Sequence, residues 1–392
     1  MTNATSNDSR FLLNGNLYFL PTGLQSFHAQ VPEQVASMTT SSGAELRVGL
    51  IGFGLGGAAF HAPLIASTPG MRLATVVTAN PARRAQALHE YPGTEVIPDV
   101  KTLWDRAVDH DLIVISTPNR MHVSLALAAL SAGLPTVVDK PFAPTAAEAR
   151  QIIEAARSRR LWVTAYHNRR WDSDYLTLRG LIDREQLGRL LRIESRLERW
   201  RPTPKGGWRE RGEREEAGGL LYDLGTHLID QALQLGGPVA EVYAELNRRR
   251  PGMETDDDVF VALTHCNGVR SHLWTSYMAA QPGPRLRVLG DRATFVVQRA
   301  DSQESALRSG KRPNSPHWGE EPPENWGVLS DGAHELPVKS AHGAYQTFYA
   351  EIVTALINGT DPPVDPQDAV AGLEVLEAAR RSAEQRSVIV LA

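Results

Sequence analysis

A glycine-rich turn near residue 52 limits the folds that are open to this chain. The apolar run 46–51 ends in Gly52-Phe53-Gly54-Leu55-Gly56-Gly57, and a stretch that can form a helix begins at Ala58. In a G-x-G-x-x-G turn the first glycine permits a tight turn, the second a close backbone approach, and the third close packing of helix on strand. This order of strand, turn and helix predicts the first unit of a doubly wound α/β domain.

The segments that follow this turn predict a parallel sheet. Further apolar runs occupy residues 73–77, 112–115 and 136–138. None of them alternates cleanly between apolar and polar residues, and alanine-rich stretches at 81–89 and 121–132 lie between them. Apolar strands separated by helices indicate a parallel sheet covered on both faces. We therefore predict a dinucleotide-binding Rossmann domain over residues 46–165.

The second half of the chain predicts an antiparallel sheet. Asn267-Gly268 separates strand-forming runs at 258–265 and 269–277, and we expect a two-residue hairpin turn in which both residues have positive φ. A long strand is predicted at 191–200, and a second hairpin around residues 290–292. These patterns predict that residues 166–392 form an α+β domain built on an open, largely antiparallel sheet.

The rest of the second half has different sequence patterns. Residues 301–340 are rich in Pro, Gly and Ser, which favours a loop or an ordered excursion. Residues 345–358 and 366–385 have the pattern of two closing helices.

The composition excludes several classes of protein. No apolar run reaches 18 residues, so no transmembrane helix is expected, and a net charge of −4 does not favour binding to nucleic acid. The single cysteine, Cys266, cannot form an intrachain disulfide and fits a cytoplasmic location, and its neighbour His265 has no second cluster that would suggest a metal site. Residues 1–45 form a polar tail without a signal peptide, and residues 1–37 are expected to be disordered or to precede the native start.

The glycine turn also predicts a dinucleotide site, because amides at a helix N-terminus bind phosphate. We assign this cradle to Gly52, Phe53, Gly54, Leu55 and Gly57. No carboxylate that would bind the ribose hydroxyls of NAD follows the second strand.

The residues that do follow the second strand favour NADP(H) over NAD(H). Thr78 and Asn80 can donate hydrogen bonds, and Arg83 or Arg84 can pair with a 2′-phosphate. For either arginine alone, a solvated helix face is nearly as good an interpretation.

Several segments together resemble the glucose-fructose oxidoreductase / inositol dehydrogenase / MocA (Gfo/Idh/MocA) family. They are Ser116-Thr117-Pro118-Asn119 with His122, Ala132-Gly133, Asp139-Lys140-Pro141, and the stretch 217–227, which ends in Asp-x-x-x-His. The usual Glu-Lys-Pro motif is Asp-Lys-Pro here, which keeps the carboxylate on a shorter side chain. Segments 60–64, 167–172 and 303–319 are similar to the branch that contains NADP-dependent scyllo-inositol dehydrogenases.

This resemblance implies an NAD(P)-dependent oxidoreductase acting on a polyol or sugar, with an inositol-like substrate favoured. It implies that residues 166–392 form the domain for substrate binding and oligomerisation, in a homodimer or homotetramer that pairs through the open sheet face. It extends the cofactor site to Thr117, Pro118, Asn119, His122, Asp139, Lys140, Asn168 and Trp171. It also implies that Lys140, Asp223 and His227 are the catalytic group.

The chemistry of alcohol oxidation requires the same residue types. A hydride moves to C4 of nicotinamide while a proton leaves the oxygen, and histidine is a natural proton acceptor near neutral pH. In a helix Asp223 and His227 would share a face, where Asp223 orients His227 or binds a substrate hydroxyl. Lys140 follows the fourth strand and could stabilise alkoxide charge.

Structural interpretations of these residues remain open at this point. Asp223 and His227 could form a surface pair, and Lys140 could lie in a solvated loop. His61 and His122 fit packing roles better than catalysis, although His122 could line the cofactor site. Residues 169–171 could form a cationic and aromatic wall around nicotinamide or substrate, or could pack in the core.

Other functions remain compatible with this pattern. The same groups would serve a reductase of another carbonyl or conjugated substrate. A regulator that senses NADP(H) without turnover would need the glycine turn but not Lys140, Asp223 and His227.

Overall fold

The computed structural model describes residues 10–13, 16–19, 45–210, 212 and 216–391, in two separate units, Met1–Met38 and Thr39–Ala392. In the first unit, β1 (Arg10–Leu13) and β2 (Asn16–Phe19) pair antiparallel. Apart from these strands, the tail predicted for residues 1–45, and with it the expectation of disorder, lies almost wholly outside the described residues.

Six parallel strands form the first sheet of the second unit. They are β3 (Leu46–Ile51), β4 (Met71–Val77), β5 (Glu95–Ile97), β6 (Leu112–Ile115), β7 (Thr136–Val138) and β8 (Val163–Ala165). Their order in the sheet is β5-β4-β3-β6-β7-β8. Strands β4 and β5 therefore lie on one side of β3, and strands β6, β7 and β8 lie on the other side. Ligands of such sheets bind at this switch point, beyond the carboxyl ends of the strands.

Helices connect these strands. A π-helical segment Gly56–His61 continues into α1 (Ala62–Ser67), and α2 (Pro81–Glu90), α3 (Val100–Asp105), α4 (His122–Ser131) and α5 (Ala146–Ser158) follow. All four residues of β6 are fully buried, as expected for a strand covered on both faces. The predicted Rossmann sheet is thus confirmed. The three-residue strands β5 and β8 were not predicted from the sequence.

The second sheet has nine strands among the described residues. They are β9 (Leu190–Glu198), β10 (Val239–Asn247), β11 (Asp258–His265), β12 (Arg270–Ser276), β13 (Leu286–Gly290), β14 (Thr294–Val297), β15 (Gly327–Ser330), β16 (Glu335–Val338) and β17 (Ile389–Val390). Their order is β16-β15-β14-β13-β9-β12-β11-β10-β17. The β9–β12 pair is parallel and the other pairs are antiparallel, which confirms the predicted open, largely antiparallel sheet.

The second half of the chain also contains five α-helices among the described residues. They are α6 (Ser173–Asp183), α7 (Thr226–Gly236), α8 (Gln303–Arg308), α9 (Tyr345–Asn358) and α10 (Pro366–Gln385). Of these, α6, α7 and α10 pack against the second sheet. A π-helical segment, Leu221–Gly225, leads directly into α7. The two predicted closing helices are confirmed with the expected bounds. Every described helix is too short or too polar to cross a bilayer.

The hairpin at Asn267-Gly268 is present, but the predicted positive φ is wrong for Asn267. Gly268 has φ +87° and donates its N–H to the His265 carbonyl, whereas Asn267 has no positive φ. Asn267 instead donates its side-chain amide to the Gly236 carbonyl and accepts the Val269 N–H. These bonds hold a longer turn with one left-handed residue, for which glycine suffices.

Residues 301–340, predicted to be a loop or an ordered excursion, form an ordered excursion that contains regular structure. It includes α8 and the strands β15 and β16, which extend the sheet at its edge. The first residue of β15, Gly327, must be a glycine because a Cβ there would lie 2.3 Å from the Phe295 ring. Proline and glycine are tolerated in short edge strands, so composition alone did not reveal them.

Gly57 is required by the close approach of two backbone segments. A Cβ at this position would lie 2.0 Å from the Gly52 carbonyl oxygen, a contact that no side-chain movement can relieve. Gly372 in α10 offers a matched control, because a Cβ there would have no neighbour within 4 Å.

We expect Gly57→Ala to lower the free energy of unfolding by roughly 1–3 kcal/mol or more, as overpacking does. Gly372→Ala should leave it unchanged or raise it by up to about 1 kcal/mol, because alanine favours a helix over glycine. Urea and thermal unfolding followed by circular dichroism measure both. Equal stability of Gly57→Ala and the unsubstituted protein would contradict the backbone contact.

Candidate active site

A cleft of about 290 Å³ opens where the carboxyl ends of the parallel strands meet the second sheet. The glycine turn contributes Leu55 and Gly56 to its wall, and Lys140 follows β7. Asp223 and His227 enter from the π-helical segment and the first turn of α7. The three residues proposed as catalytic therefore line one cleft, beside the glycine turn.

Lys140 and Asp223 are in direct contact although 83 residues separate them. The Lys140 Nζ donates to Asp223 Oδ1 at 2.9 Å and to the Asp223 backbone oxygen at 2.6 Å. Arg209 Nε lies 3.2 Å from the same Oδ1. Burial alone would raise the pKa of Asp223, but the charges of Lys140 and Arg209 hold that pKa well below its usual range. Asp223 is therefore an ionised carboxylate that positions the lysine.

His227 presents a neutral ring to this site. The residue is 5% exposed, and its Nδ1 has no hydrogen-bond partner among the described residues. Burial, with the neighbouring charges of Lys140 and Arg169, lowers the pKa of His227 well below its usual value. The hydrogen bonds of Asp223 go to Lys140 rather than to His227, so they do not orient the imidazole. A neutral imidazole can accept a proton at physiological pH.

Asp139 supports the backbone beneath Lys140. Its Oδ1 accepts the Lys140 N–H at 2.8 Å, and its Oδ2 accepts from Ser116 Oγ at 3.1 Å. His61 Nε2 lies 3.6 Å from Oδ2, and His61 Nδ1 lies 2.6 Å from the Tyr349 hydroxyl oxygen. Burial would raise the pKa of Asp139, but the neighbouring His61 and Lys140 side chains hold that pKa well below its usual range. The shorter carboxylate of Asp-Lys-Pro thus has a complete set of partners.

The glycine turn fits a dinucleotide pyrophosphate. Gly52 has φ +98°, and a Cβ there would lie 2.3 Å from the Ser116 carbonyl oxygen. At Gly54 the nearest atom to a Cβ would be Arg83 Nη1 at 3.9 Å, which leaves room for a ligand. Leu55 caps the following helix without a side-chain hydrogen bond, so backbone amides remain available to an anion.

The Phe53 side chain belongs to the core rather than to this cradle. It is 1% exposed and packs edge-on against the Tyr91 ring at 6.3 Å. Only the backbone of Phe53 is therefore left to face a ligand.

The two arginines after β4 have different environments. Arg84 donates to the Val96 carbonyl at 2.9 Å, whereas Arg83 lies beside Gly54 in a second cleft. Asn80 Oδ1 accepts the Arg83 N–H at 3.0 Å and so caps α2, and the Thr78 hydroxyl accepts the Asn80 N–H. Arg83 is therefore the arginine that is placed to meet a phosphate near the glycine turn.

His122 lies outside the lining of both clefts, and its assignment to the cofactor site stays a prediction. The residue is fully buried, and its ring nitrogens lie 2.8 Å from the Pro141 carbonyl oxygen and 3.0 Å from that of Thr117. His122 thus joins the loops that follow β6 and β7, where Pro118 also lies. Asn119 is likewise buried and donates to the carbonyl of Glu216. These residues shape the loops instead of lining either cleft.

The wall predicted from residues 169–171 is only partly present. Asn168 and Arg169 line the cleft. Arg170 pairs with Asp230 and Asp368, and Trp171 packs against Phe348 in the core. Arg170 and Trp171 are thus held away from the cleft, because buried ionic and aromatic partners satisfy them.

Several cleft residues were missed by sequence reasoning. They are Arg199, Arg201, Lys205, Arg209, Tyr277, Glu304 and Arg308. They come from strand ends, from the connection between β9 and the π-helical segment Leu221–Gly225, and from the excursion after residue 300, and they form no local motif. The one available signal was the concentration of arginines just after β9.

Two family models together match most of the chain. Residues 46–167 match the Gfo/Idh/MocA model described as "Oxidoreductase family, NAD-binding Rossmann fold". Residues 179–391 match its companion, described as "Oxidoreductase family, C-terminal alpha/beta domain".

Individual relatives agree with these matches. The chain is 38% identical to the uncharacterised oxidoreductase YdgJ of Escherichia coli, over 88% of this chain and 99% of that protein. It is 31% identical to IolW of Bacillus subtilis, named scyllo-inositol 2-dehydrogenase (NADP(+)), over 88% of this chain and 96% of that protein. The solved structure of the oxidoreductase yvaA from Bacillus subtilis is similar, with a TM-score of 0.84 and 30% identity over 89% and 99% of the two chains. The chain therefore belongs to the Gfo/Idh/MocA family of oxidoreductases and has that family's NAD(P)-binding Rossmann domain.

Proposed function

We propose that this protein is an NADP(H)-dependent dehydrogenase of a polyol or sugar, with an inositol-like substrate favoured. The observation that carries the proposal is the Lys140–Asp223 contact, in a cleft that also holds the neutral ring of His227. This combination supplies a positive charge for the substrate oxygen and an acceptor for its proton.

The roles of the residues follow from their partners. Bound nicotinamide would accept the hydride of the alcohol carbon, or return it to the carbonyl. The Lys140 ammonium has three N–H donors, and two of them bind Asp223. The third N–H can therefore donate to the substrate oxygen and stabilise developing alkoxide charge. An imidazole nitrogen of His227 takes the hydroxyl proton as the C=O bond forms. Reduction of a ketone reverses both transfers.

The polar lining of the cleft supports a polyhydroxylated substrate. Asn168, Thr255, Asp256 and Tyr277 line the cleft together with the catalytic group. Their side chains can donate to or accept from hydroxyl groups. The relative named scyllo-inositol 2-dehydrogenase supports an inositol-like substrate at 31% identity.

Two other functions would use the same fold. A reductase of another carbonyl or conjugated substrate would employ Lys140 and His227 in the same roles. A regulator that senses NADP(H) without turnover would have no need for the Lys140–Asp223 pair, which therefore favours an enzyme. We also propose a cytoplasmic location, on the basis of the single cysteine.

The face of the second sheet away from its helices supports a homodimer, or a tetramer of dimers. The Phe260 and Trp274 rings pack together on this face with centroids 5.2 Å apart, and the His272 ring lies edge-on to Trp274 at 6.1 Å. The Arg196 guanidinium lies 3.9 Å over Trp274. Clustered aromatic residues and arginine are typical of the centre of a protein interface.

The catalytic assignment predicts a loss of turnover with retention of cofactor binding. Lys140→Ala and His227→Ala should each lower kcat by about 10²–10⁴-fold, as the loss of a positioned acid or base does. Cofactor affinity should stay within several-fold, because the glycine turn holds the phosphates. Steady-state kinetics on a polyol panel and fluorescence titration of NADPH measure the two effects. Lys101→Ala and His89→Ala, which remove the same side chains from exposed helix positions, serve as controls.

The pH profile gives a second readout of the same assignment. Because the pKa of His227 is lowered, its basic form persists below pH 6.5, so kcat/KM for oxidation should not fall as pH drops through 6.5. Turnover of His227→Ala within a few-fold of the unsubstituted enzyme would show that another group accepts the proton.

The cofactor assignment predicts tighter binding of NADP(H) than of NAD(H). Arg83→Met should weaken NADPH binding by about 10-fold or more, since a charged hydrogen bond contributes roughly 1.5–3 kcal/mol. Its NADH affinity should change little. Arg84→Met is the matched control, because that side chain is held by the Val96 carbonyl. Equal affinity for NADH and NADPH in the unsubstituted protein would refute the preference.

The assembly proposal predicts a dimeric or tetrameric mass at micromolar concentration in light scattering. Trp274→Glu should shift that mass toward the monomer by placing a charge in the aromatic cluster. Ile357→Glu, at an exposed apolar position of α9, should not. A monomeric mass for the unsubstituted protein would rule the proposal out.

A further inference from the structure

Cations outnumber carboxylates around the reacting end of the cleft. Glu304 accepts hydrogen bonds from Arg169 at 2.5 Å, Arg199 at 3.2 Å and Arg308 at 2.9 Å. Asp223 in turn is shared by Lys140 and Arg209. These two carboxylates are therefore already paired, and a further cation on this wall needs a counter-charge from elsewhere.

Arg201 is such a further cation. It follows the carboxyl end of β9 and lines the cleft, where its half-buried guanidinium lies 5.2 Å from the Tyr277 ring centroid. Its backbone N–H donates to the Tyr277 carbonyl at 2.8 Å, which fixes the base of the side chain. Within the described part of the chain, no carboxylate lies within ion-pair distance of this guanidinium.

The carboxylates that pair with the neighbouring Arg250 do not balance the positive charge of Arg201. Arg250 lies 4.8 Å from the same Tyr277 ring, but its own charge is balanced by Asp257 at 2.9 Å and Glu210 at 3.1 Å. Lys205 lines the same wall and has no ion pair among the described residues. Two cations thus face the cleft without a described partner.

We propose that the substrate carries an anionic substituent, a carboxylate or a phosphate, that binds Arg201 with help from Lys205. The CH–OH group of the same molecule would reach Lys140 and His227. This inference rests on the proposed dehydrogenase function and narrows its substrate class to acidic or phosphorylated polyols and sugars.

The geometry of Arg201 suits this role. A planar guanidinium binds carboxylate or phosphate through two parallel hydrogen bonds, and an aromatic ring beneath it restricts its orientation. A half-buried charge without a counter-ion is costly, and a bound anion removes that cost. The cofactor phosphates have a cradle of their own at Gly54 and Arg83, which line the second cleft.

The test compares three matched substrates with the full chain and NADP+: a neutral polyol, the corresponding sugar acid, and the corresponding phosphate ester. We expect kcat/KM for one anionic compound to exceed that for the neutral compound by about 10-fold or more. Arg201→Met should remove that advantage through a higher KM, with kcat for the neutral compound within about 3-fold. Arg201→Lys should retain part of it.

A matched control and the contrary outcomes complete the design. Arg189→Met removes a charge just before the other end of β9, where the side chain is 79% exposed, and should change no substrate's KM. If the sugar acid is preferred, the anionic substituent is a carboxylate. If the phosphate ester is preferred, the substituent is a phosphate. A neutral polyol as the best substrate, or an equal effect of Arg201→Met on all three compounds, overturns the inference while the dehydrogenase function stands.

A binding measurement separates the two proposals if no compound is oxidised. Tryptophan fluorescence of the NADPH-bound protein is titrated with the same three compounds. Anion binding that is lost in Arg201→Met would then support the anion site while the dehydrogenase function fails. Absence of both turnover and binding would refute both.

Discussion

The contact between Lys140 and Asp223 is the interaction on which the site depends. Lys140 stands at the carboxyl end of a Rossmann strand, and Asp223 stands in a π-helical segment that belongs to the second half of the chain. Their ion pair, at 2.9 Å, fixes the position of the cleft between the two halves. Because the pair is only 15% and 20% exposed, solvent screens it weakly and its geometry is well defined.

Two further carboxylates fix the backbone of the segments that carry these two residues. Asp139 accepts the Lys140 backbone N–H, and His61, which is hydrogen-bonded to Tyr349 of α9, packs beside Asp139. On the other side, Asp256 accepts the Leu221 N–H at the start of the π-helical segment. A π-helical turn is a common means of aiming a side chain at a functional site, and here it precedes the helix that carries His227.

A buried ionic network supports the wall that Arg169 forms. Asp172 pairs with Arg169 at 3.2 Å and accepts the Tyr345 hydroxyl at 2.6 Å, while Arg285 lies 3.0 Å from Asp174. Burial raises the pKa of Asp172 to about 6, against the lowering effect of Arg169. Such charges are expensive to bury and hold together only as a complete set, so they constrain side-chain positions strongly.

The sequence by itself determined the Rossmann sheet, the second sheet, the closing helices and three residues that share a cleft. Local signals sufficed for these features: glycine spacing, apolar runs and the Asp-Lys-Pro and Asp-x-x-x-His motifs. Short edge strands such as β15 escaped prediction because four residues with a glycine carry little pattern. The turn at Asn267 was mispredicted because its side chain bonds to Gly236, a residue distant in sequence.

Only the tertiary structure decided which residues face the cleft. It bound Arg84 to the Val96 carbonyl and left Arg83 beside the glycine turn. It also buried His122 between two loop carbonyls and paired Arg170 with Asp230. It also brought Arg201 to the same cleft as Lys140. The reason is physical: a side chain's partner, burial and charge depend on segments distant in sequence, which no local pattern encodes.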